Sequence, residues 1–179
     1  MNKTEMGLPE DYAFDSHDEY RAAYGAWIAT PEEFEQLRGE WTQLFNAVEP
    51  AGSLLSFDSI FDRWNLSERG SKLAIITVRH ASGRLVGLAP FCIARSEAAD
   101  NRARRLSFLV ETQSAADRSR ILVDPEFEDA VAQEIARMLV HHRHEWDCVD
   151  LALPGLMPLL DYVNSMARTR ATPAIARLP

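Results

Sequence analysis

The densest run of side chains able to bind a metal is His141-His142-Arg143-His144-Glu145. On a helix, His141 would share one face with His144 or Glu145. A zinc site needs three or four convergent ligands, however, and the common His-Glu-x-x-His pattern is missing. Cationic side chains are favoured at the carboxyl end of a helix, so we interpret this run as a helix terminus and predict no metal ligands in the chain.

A second pair, Asp147 and Asp150, flanks Cys148-Val149 and would suit general acid–base chemistry if the two carboxylates met. This segment is apolar enough to form a buried strand. Residues three apart in a strand point to opposite faces, so the two carboxylates are not expected to share a site. We therefore predict structural roles for both aspartates and no catalytic residue in this chain.

Phosphate-binding loops are also missing. The sequence contains neither G-x-G-x-x-G nor G-x-x-x-x-G-K-[ST], and it lacks the G-x-S-x-G turn that presents a nucleophilic serine. No glycine occurs between Gly87 and Gly155. Backbone N–H groups approach a pyrophosphate closely only where side chains do not intervene, so we predict no cofactor-binding residue in this span.

Composition excludes several classes of partner. The 19 basic and 27 acidic residues give a net charge of −8, and no basic stripe is present, so binding to nucleic acid is not expected. Residues 1–22 form a polar, acidic lead-in without the apolar core of a signal peptide. The longest apolar run is too short to cross a bilayer. We expect a cytoplasmic protein with no membrane insertion.

The local patterns predict alternating helices and strands. Thr30-Pro31-Glu32-Glu33 indicates a capped helix start, and the apolar spacing that follows predicts one helix of about 18 residues. The remaining predictions are strands over 23–29, 73–79, 85–94, 104–110, 121–123, 148–152 and 174–178, with helices over 57–64, from 124 to about 144, and over 156–166.

Several strings along the chain occur in a recognisable order. They are Glu32-Glu33-Phe34 with Leu37 and Trp41, Trp64, Arg84-Leu85-Val86-Gly87-Leu88-Ala89-Pro90-Phe91, Arg105-Leu106-Ser107-Phe108-Leu109, Asp117, Ile121-Leu122-Val123-Asp124-Pro125 and Trp146-Asp147-Cys148-Val149-Asp150-Leu151. With these strings, the chain over 23–179 resembles the first half of the GNAT-type cellulose-biosynthesis acetyltransferase family (CelD/BcsL-like), and the order of its elements resembles that of a GNAT acyltransferase lobe.

The resemblance implies an α/β (α+β) fold with a GNAT-like mixed, mostly antiparallel sheet flanked by helices. It also implies that 23–179 is the first of two lobes in a longer parent, and that the second lobe holds acetyl-CoA or another acyl-CoA. On this interpretation the chain is a non-catalytic lobe, inactive alone, that shapes the acceptor cleft. The expected reaction is acylation of an amine or hydroxyl in polysaccharide or envelope chemistry. The expected partner is the missing C-terminal lobe or a second copy of the chain.

Three residues are candidates for the acceptor cleft. Trp64 ends the second predicted helix, which borders that cleft in GNAT folds, and Asp117 and Arg118 lie in a long glycine-free loop. Each has a structural alternative, since Trp64 can pack in the core and Asp117 can pair with Arg118 or Arg120. Two other functions stay open: a self-sufficient acyltransferase with atypical CoA binding, and a protein-binding or assembly module on a GNAT-like scaffold.

Overall fold

Six described strands form one mixed sheet in the computed structural model, which describes residues 22–48, 54–67, 70–95, 103–109 and 121–150. The strands are β1 (Ala23–Ile28), β2 (Lys72–His80), β3 (Leu85–Arg95), β4 (Arg104–Phe108), β5 (Leu122–Val123) and β6 (Cys148–Asp150). Their order is β1-β2-β3-β4-β6, with β5 paired to β3. Among the pairs described, only β4 and β6 are parallel.

Helices cover both faces of this sheet. The chain forms α1 (Pro31–Gln36), α2 (Arg38–Val48), α3 (Phe57–Asn65) and α4 (Glu128–His141), with 3-10 turns at Pro125–Phe127 and Arg143–Glu145. One apolar cluster packs α1, α2 and α3 against one face, and a second packs α4 against the other. The predicted fold class, a mostly antiparallel sheet flanked by helices, is confirmed. No helix in these described ranges is long and apolar enough to span a membrane.

The helix start at Thr30 is confirmed, but the continuous helix predicted after it is wrong. Thr30 and Glu33 form a reciprocal capping box, and α1 then ends at Leu37. The Leu37 N–H donates to the Phe34 carbonyl at 3.1 Å, which is the tighter 3-10 spacing. Gly39 follows this turn and weakens helix propensity there. The break keeps the apolar stripe inward, since Phe34, Leu37 and Trp41 are all buried.

The later helix also differs from its prediction at both ends. Asp124 accepts a hydrogen bond from the Glu126 N–H and begins a 3-10 turn, after which α4 starts at Glu128. The helix ends at His141, because the backbone tightens into the second 3-10 turn instead of continuing to His144. The predicted order of two strands, this helix and a further strand is nevertheless confirmed. The predicted helix 156–166 and strand 174–178 lie outside the described residues.

Two glycines allow α4 to approach the sheet closely. The register of β2 and β3 shifts between Val78 and Arg79, so β3 carries one extra residue there. At this bulge, a Cβ on Gly87 would lie 2.4 Å from Val131 Cγ1 on α4. A Cβ on Gly25 in β1 would lie 2.7 Å from Met138 Cγ. α4 can therefore pack this closely against the sheet only because residues 25 and 87 are glycines.

The edge strand β1 is held by a side chain from α4. The Gly25 N–H donates to Glu134 Oε2 at 2.8 Å, and Arg137 donates to the same carboxylate. Near the end of β1, the Ala29 N–H donates to Glu33 Oε2 at 3.4 Å. Backbone donors that an edge strand normally leaves to solvent are thus paired within the chain.

Candidate functional site

A cleft of about 390 Å³ opens at the end of the sheet where β1 and β3 end and β2 begins. Its volume lies within the usual range for small-molecule sites. The apolar lining includes Trp27, Trp64, Leu73 and Ile93, and the charged lining consists of Lys72 and Glu145. These residues are far apart in the sequence and meet only because the strands and α3 converge there.

Trp27 lines the cleft, and a stacked neighbouring ring fixes the orientation of its indole. The His142 imidazole stacks on the Trp27 indole with ring centroids 4.2 Å apart and an interplanar angle of 11°. Burial lowers the pKa of His142, and the nearby His141 and His144 lower it further against an opposing effect of Glu145. His142 is therefore a neutral ring at pH 7 and supports the indole without adding charge to the cleft.

Trp64 lies in the last turn of α3 and is half-buried. The helix begins at Ser56, whose hydroxyl accepts from the Ser59 N–H at 3.3 Å. It is closed at the other end by Ser67, whose hydroxyl and N–H both donate to the Trp64 carbonyl, at 2.6 and 3.0 Å. Trp64 packs against the apolar cluster and also lines the cleft. The same side chain therefore has both a packing role and a position in the cleft.

The polar side of the cleft is a loose ion pair. Lys72 Nζ lies 3.5 Å from Glu145 Oε2, and the two side chains are 70% and 32% exposed. His144 Nε2 lies 3.5 Å from the other oxygen of Glu145. An exposed pair of this kind contributes little to stability. Its importance for a ligand is that it presents a strong donor beside a strong acceptor, with no net charge.

Asp117 and Arg118 lie outside the described residues. Their described flanks are Leu109, whose N–H donates to the Pro90 carbonyl at 2.9 Å, and Leu122, which pairs with Leu88. The cleft instead contacts β3 at Ile93. The flanks of that loop and the cleft therefore meet β3 at different points along the strand. Trp64 is the one of the three sequence-predicted candidates that the structure describes, and it lines the cleft.

The family resemblance implies a phosphate site in the segment that leads into α4, and the structure describes the 3-10 turn at the end of that segment. Pro125 has no N–H, the Glu126 N–H donates to Asp124 Oδ1 at 3.1 Å, and the Phe127 N–H donates to the Asp124 carbonyl at 2.8 Å. The second carboxylate oxygen of Asp124 accepts from Arg84 Nη1 at 2.7 Å. A pyrophosphate needs unpaired donors at a helix start. These residues of the described chain do not fit one.

Asp147 has a structural role, as the sequence predicts. Arg104 donates to it through its backbone N–H and its guanidinium, at 2.8 to 3.0 Å. These hydrogen bonds, the side-chain ones foremost, hold the pKa of Asp147 well below its usual range. A carboxylate held ionised in this way is a poor proton donor at neutral pH. Asp147 instead fastens the chain before β6 to the start of β4.

Sequence reasoning missed most of the cleft. From the sequence, Trp27 could stack a sugar or nucleotide ring like the other three tryptophans, Lys72 lies just before the strand predicted over 73–79, and Glu145 belongs to the histidine-rich run. No local pattern joins them, because the register of the sheet brings them together. Within the ranges that the structure describes, no three His, Cys, Asp or Glu side chains converge in a way that could hold a metal.

No known family model matches the chain, and no curated protein sequence matches it. Among solved structures, it is similar to the aminoglycoside antibiotic 6'-N-acetyltransferase AAC(6')-Ih from Acinetobacter baumannii. The two share 10% sequence identity with a TM-score of 0.45, over 88% of this chain and 95% of that one. A similarity of this size does not indicate a function.

Proposed function

We propose that the chain is the first lobe of a two-lobe GNAT-type acyltransferase and that this lobe does not itself hold the acyl-CoA. The reaction of the parent enzyme is transfer of an acyl group to an amine or hydroxyl acceptor in polysaccharide or envelope chemistry. The observation that supports the proposal is the 3-10 turn just before α4, where the N–H groups of Glu126 and Phe127 are already paired with Asp124.

Two features support the lobe assignment. The sheet has a parallel pair, β4 and β6, joined through α4, and the preceding hairpin and helices follow the order that the sequence resemblance implies. The Glu126 and Phe127 N–H groups of the 3-10 turn before α4 are already paired within the chain, and Arg84 is already paired with the Asp124 carboxylate. An acyl-CoA bound there would have to displace both interactions and approach the Asp124 carboxylate.

Calorimetric titration of the purified chain with acetyl-CoA tests the proposal. A dissociation constant of about 1 mM, or roughly −4 kcal/mol, separates weak from meaningful binding. We expect no heat of binding tighter than this limit, with an acetyl-CoA-dependent acetyltransferase as the positive control. Tighter binding by the chain alone would contradict the proposal and favour a self-sufficient acyltransferase.

A second experiment separates the lobe from a protein-binding module. The chain is used as bait for interacting proteins, and the partner is assayed for acyl transfer with and without the chain. We expect a partner whose acyl transfer to its acceptor increases at least about tenfold, or roughly 1.4 kcal/mol in the barrier, when the chain is added. A specific partner with no change in any acyltransferase activity would favour the assembly module instead.

A further inference from the structure

We propose that the cleft between Trp27 and Trp64 binds a neutral sugar ring, with Lys72 and Glu145 contacting two adjacent hydroxyl groups. This inference goes beyond acyl transfer, because it requires neither acyl-CoA nor a second lobe. It rests on the shape, aromatic content and charge of the cleft.

The aromatic walls suit the apolar face of a pyranose. The face of an indole ring carries partial negative charge, so it attracts the weakly positive C–H groups of a sugar ring. Trp27 is already held in one plane by the stacked His142 ring, and the Trp64 ring is held by packing against the apolar cluster under α3. Because these orientations exist before a ligand arrives, binding does not have to order the two large side chains.

The ion pair suits hydroxyl groups better than it suits a charged ligand. Lys72 can only donate hydrogen bonds and an ionised Glu145 can only accept them, whereas each sugar hydroxyl does both. With Nζ and Oε2 3.5 Å apart, one hydroxyl can donate to Glu145 while its neighbour accepts from Lys72. A phosphate or sulfate would find one exposed cation beside a carboxylate, which is an unfavourable arrangement for an anion.

The cleft also has a buried apolar lining, which favours a ligand with an apolar face. Leu73 and Ile93 are 2% and 4% exposed and belong to opposite apolar clusters of the sheet. They are part of a largely apolar lining that also includes the charged side chains of Lys72 and Glu145. A compact molecule with one apolar face and a polar edge fits this division, and a pyranose has that form.

Cellobiose is the probe, titrated into the full chain and followed by tryptophan fluorescence and saturation-transfer NMR. The chain has four tryptophans, and Trp41 and Trp146 are only 0% and 1% exposed, so a ligand-induced change reports on Trp27 and Trp64. We expect saturable binding. Substitution Glu145→Ala should weaken it about tenfold, the loss expected for a hydrogen bond to a charged group.

The matched control is Glu126→Ala, which removes an exposed carboxylate that does not line the cleft. It should leave cellobiose binding within about twofold, a difference well under 1 kcal/mol. A second variant, Trp64→Ala, should abolish the NMR signal, and its circular dichroism and melting temperature establish that the fold is retained. Lys72→Met tests the donor without touching the core.

Three results would overturn the proposal. The first is no saturable cellobiose signal with the folded wild-type chain. The second is binding that Glu145→Ala and Lys72→Met both leave unchanged. The third is tighter binding of phenylalanine, whose ammonium and carboxylate could pair with Glu145 and Lys72, since this would assign the cleft to a zwitterion. Because none of these readouts involves acetyl-CoA, they stand or fail separately from the proposed acyltransferase role.

Discussion

Replacing Gly87 with alanine should destabilise the chain by about 1–3 kcal/mol, the usual cost of forcing extra atoms into a packed core. The new methyl group would lie 2.4 and 2.6 Å from the two Cγ atoms of Val131 and 3.1 Å from its Cβ. Val131 is 1% exposed and β-branched, so its side chain has little freedom to turn away. Either α4 or the bulge in β3 has to move.

Thermal and urea unfolding measure this effect. For a domain of this size, each kcal/mol shifts the melting temperature by about 2–4 °C. Gly39→Ala is the matched control, because a Cβ there meets nothing within 4 Å and lies in α2. Alanine is a better helix former than glycine, so this variant should be neutral or stabilised by up to about 1 kcal/mol.

The double variant Gly87→Ala with Val131→Ala tests whether the two side chains compete for the same space. If the clash is the cause, shortening Val131 should recover part of the loss from Gly87→Ala, and the two changes should be non-additive by about 0.5–3 kcal/mol. A Gly87→Ala protein as stable as the wild type would refute the packing argument. So would strictly additive effects, because they would mean that the two residues do not compete for the same space.

Two further predictions concern titration. Arg104 lowers the pKa of Asp147 in the folded chain, so the pair should contribute stability above the unfolded value of about 3.9 and lose that contribution as pH falls towards the folded pKa. Carboxyl-carbon NMR should show the pKa of Asp147 rising towards the ordinary range in Arg104→Ala, with the backbone hydrogen bond keeping it below that range, and an unchanged pKa would contradict the assignment. Burial likewise lowers the pKa of His142, so its contribution should be present above about pH 6.5 and lost as pH falls through the folded value. Histidine C–H NMR should show His142 titrating below the ordinary histidine value of about 6.5, and His142→Gln should flatten the pH dependence of the melting temperature there; a His142 pKa at or above that value would count against the burial argument.

Local signals predicted much of the fold. The capping box at Thr30 and Glu33, the hairpin turn after β2, and the cap at Asp124 all depend on residues within a few positions of one another. The break at Leu37 was missed, because a 3-10 turn preserves the same apolar spacing over a few residues. The cleft was missed for a different reason: Trp27 and Glu145 are brought together by strand order, which periodicity does not contain.

The pairing of Gly25 with Glu134 determines how this sheet can grow. A carboxylate on the outer N–H of β1 repels the carbonyl row of any incoming strand, and the bulk of α4 stands behind it. An added strand at this edge would have to break the bond and leave Glu134 with Arg137 alone. Within the described strands, the β1 edge is therefore a less favourable place for an added strand than the β6 edge.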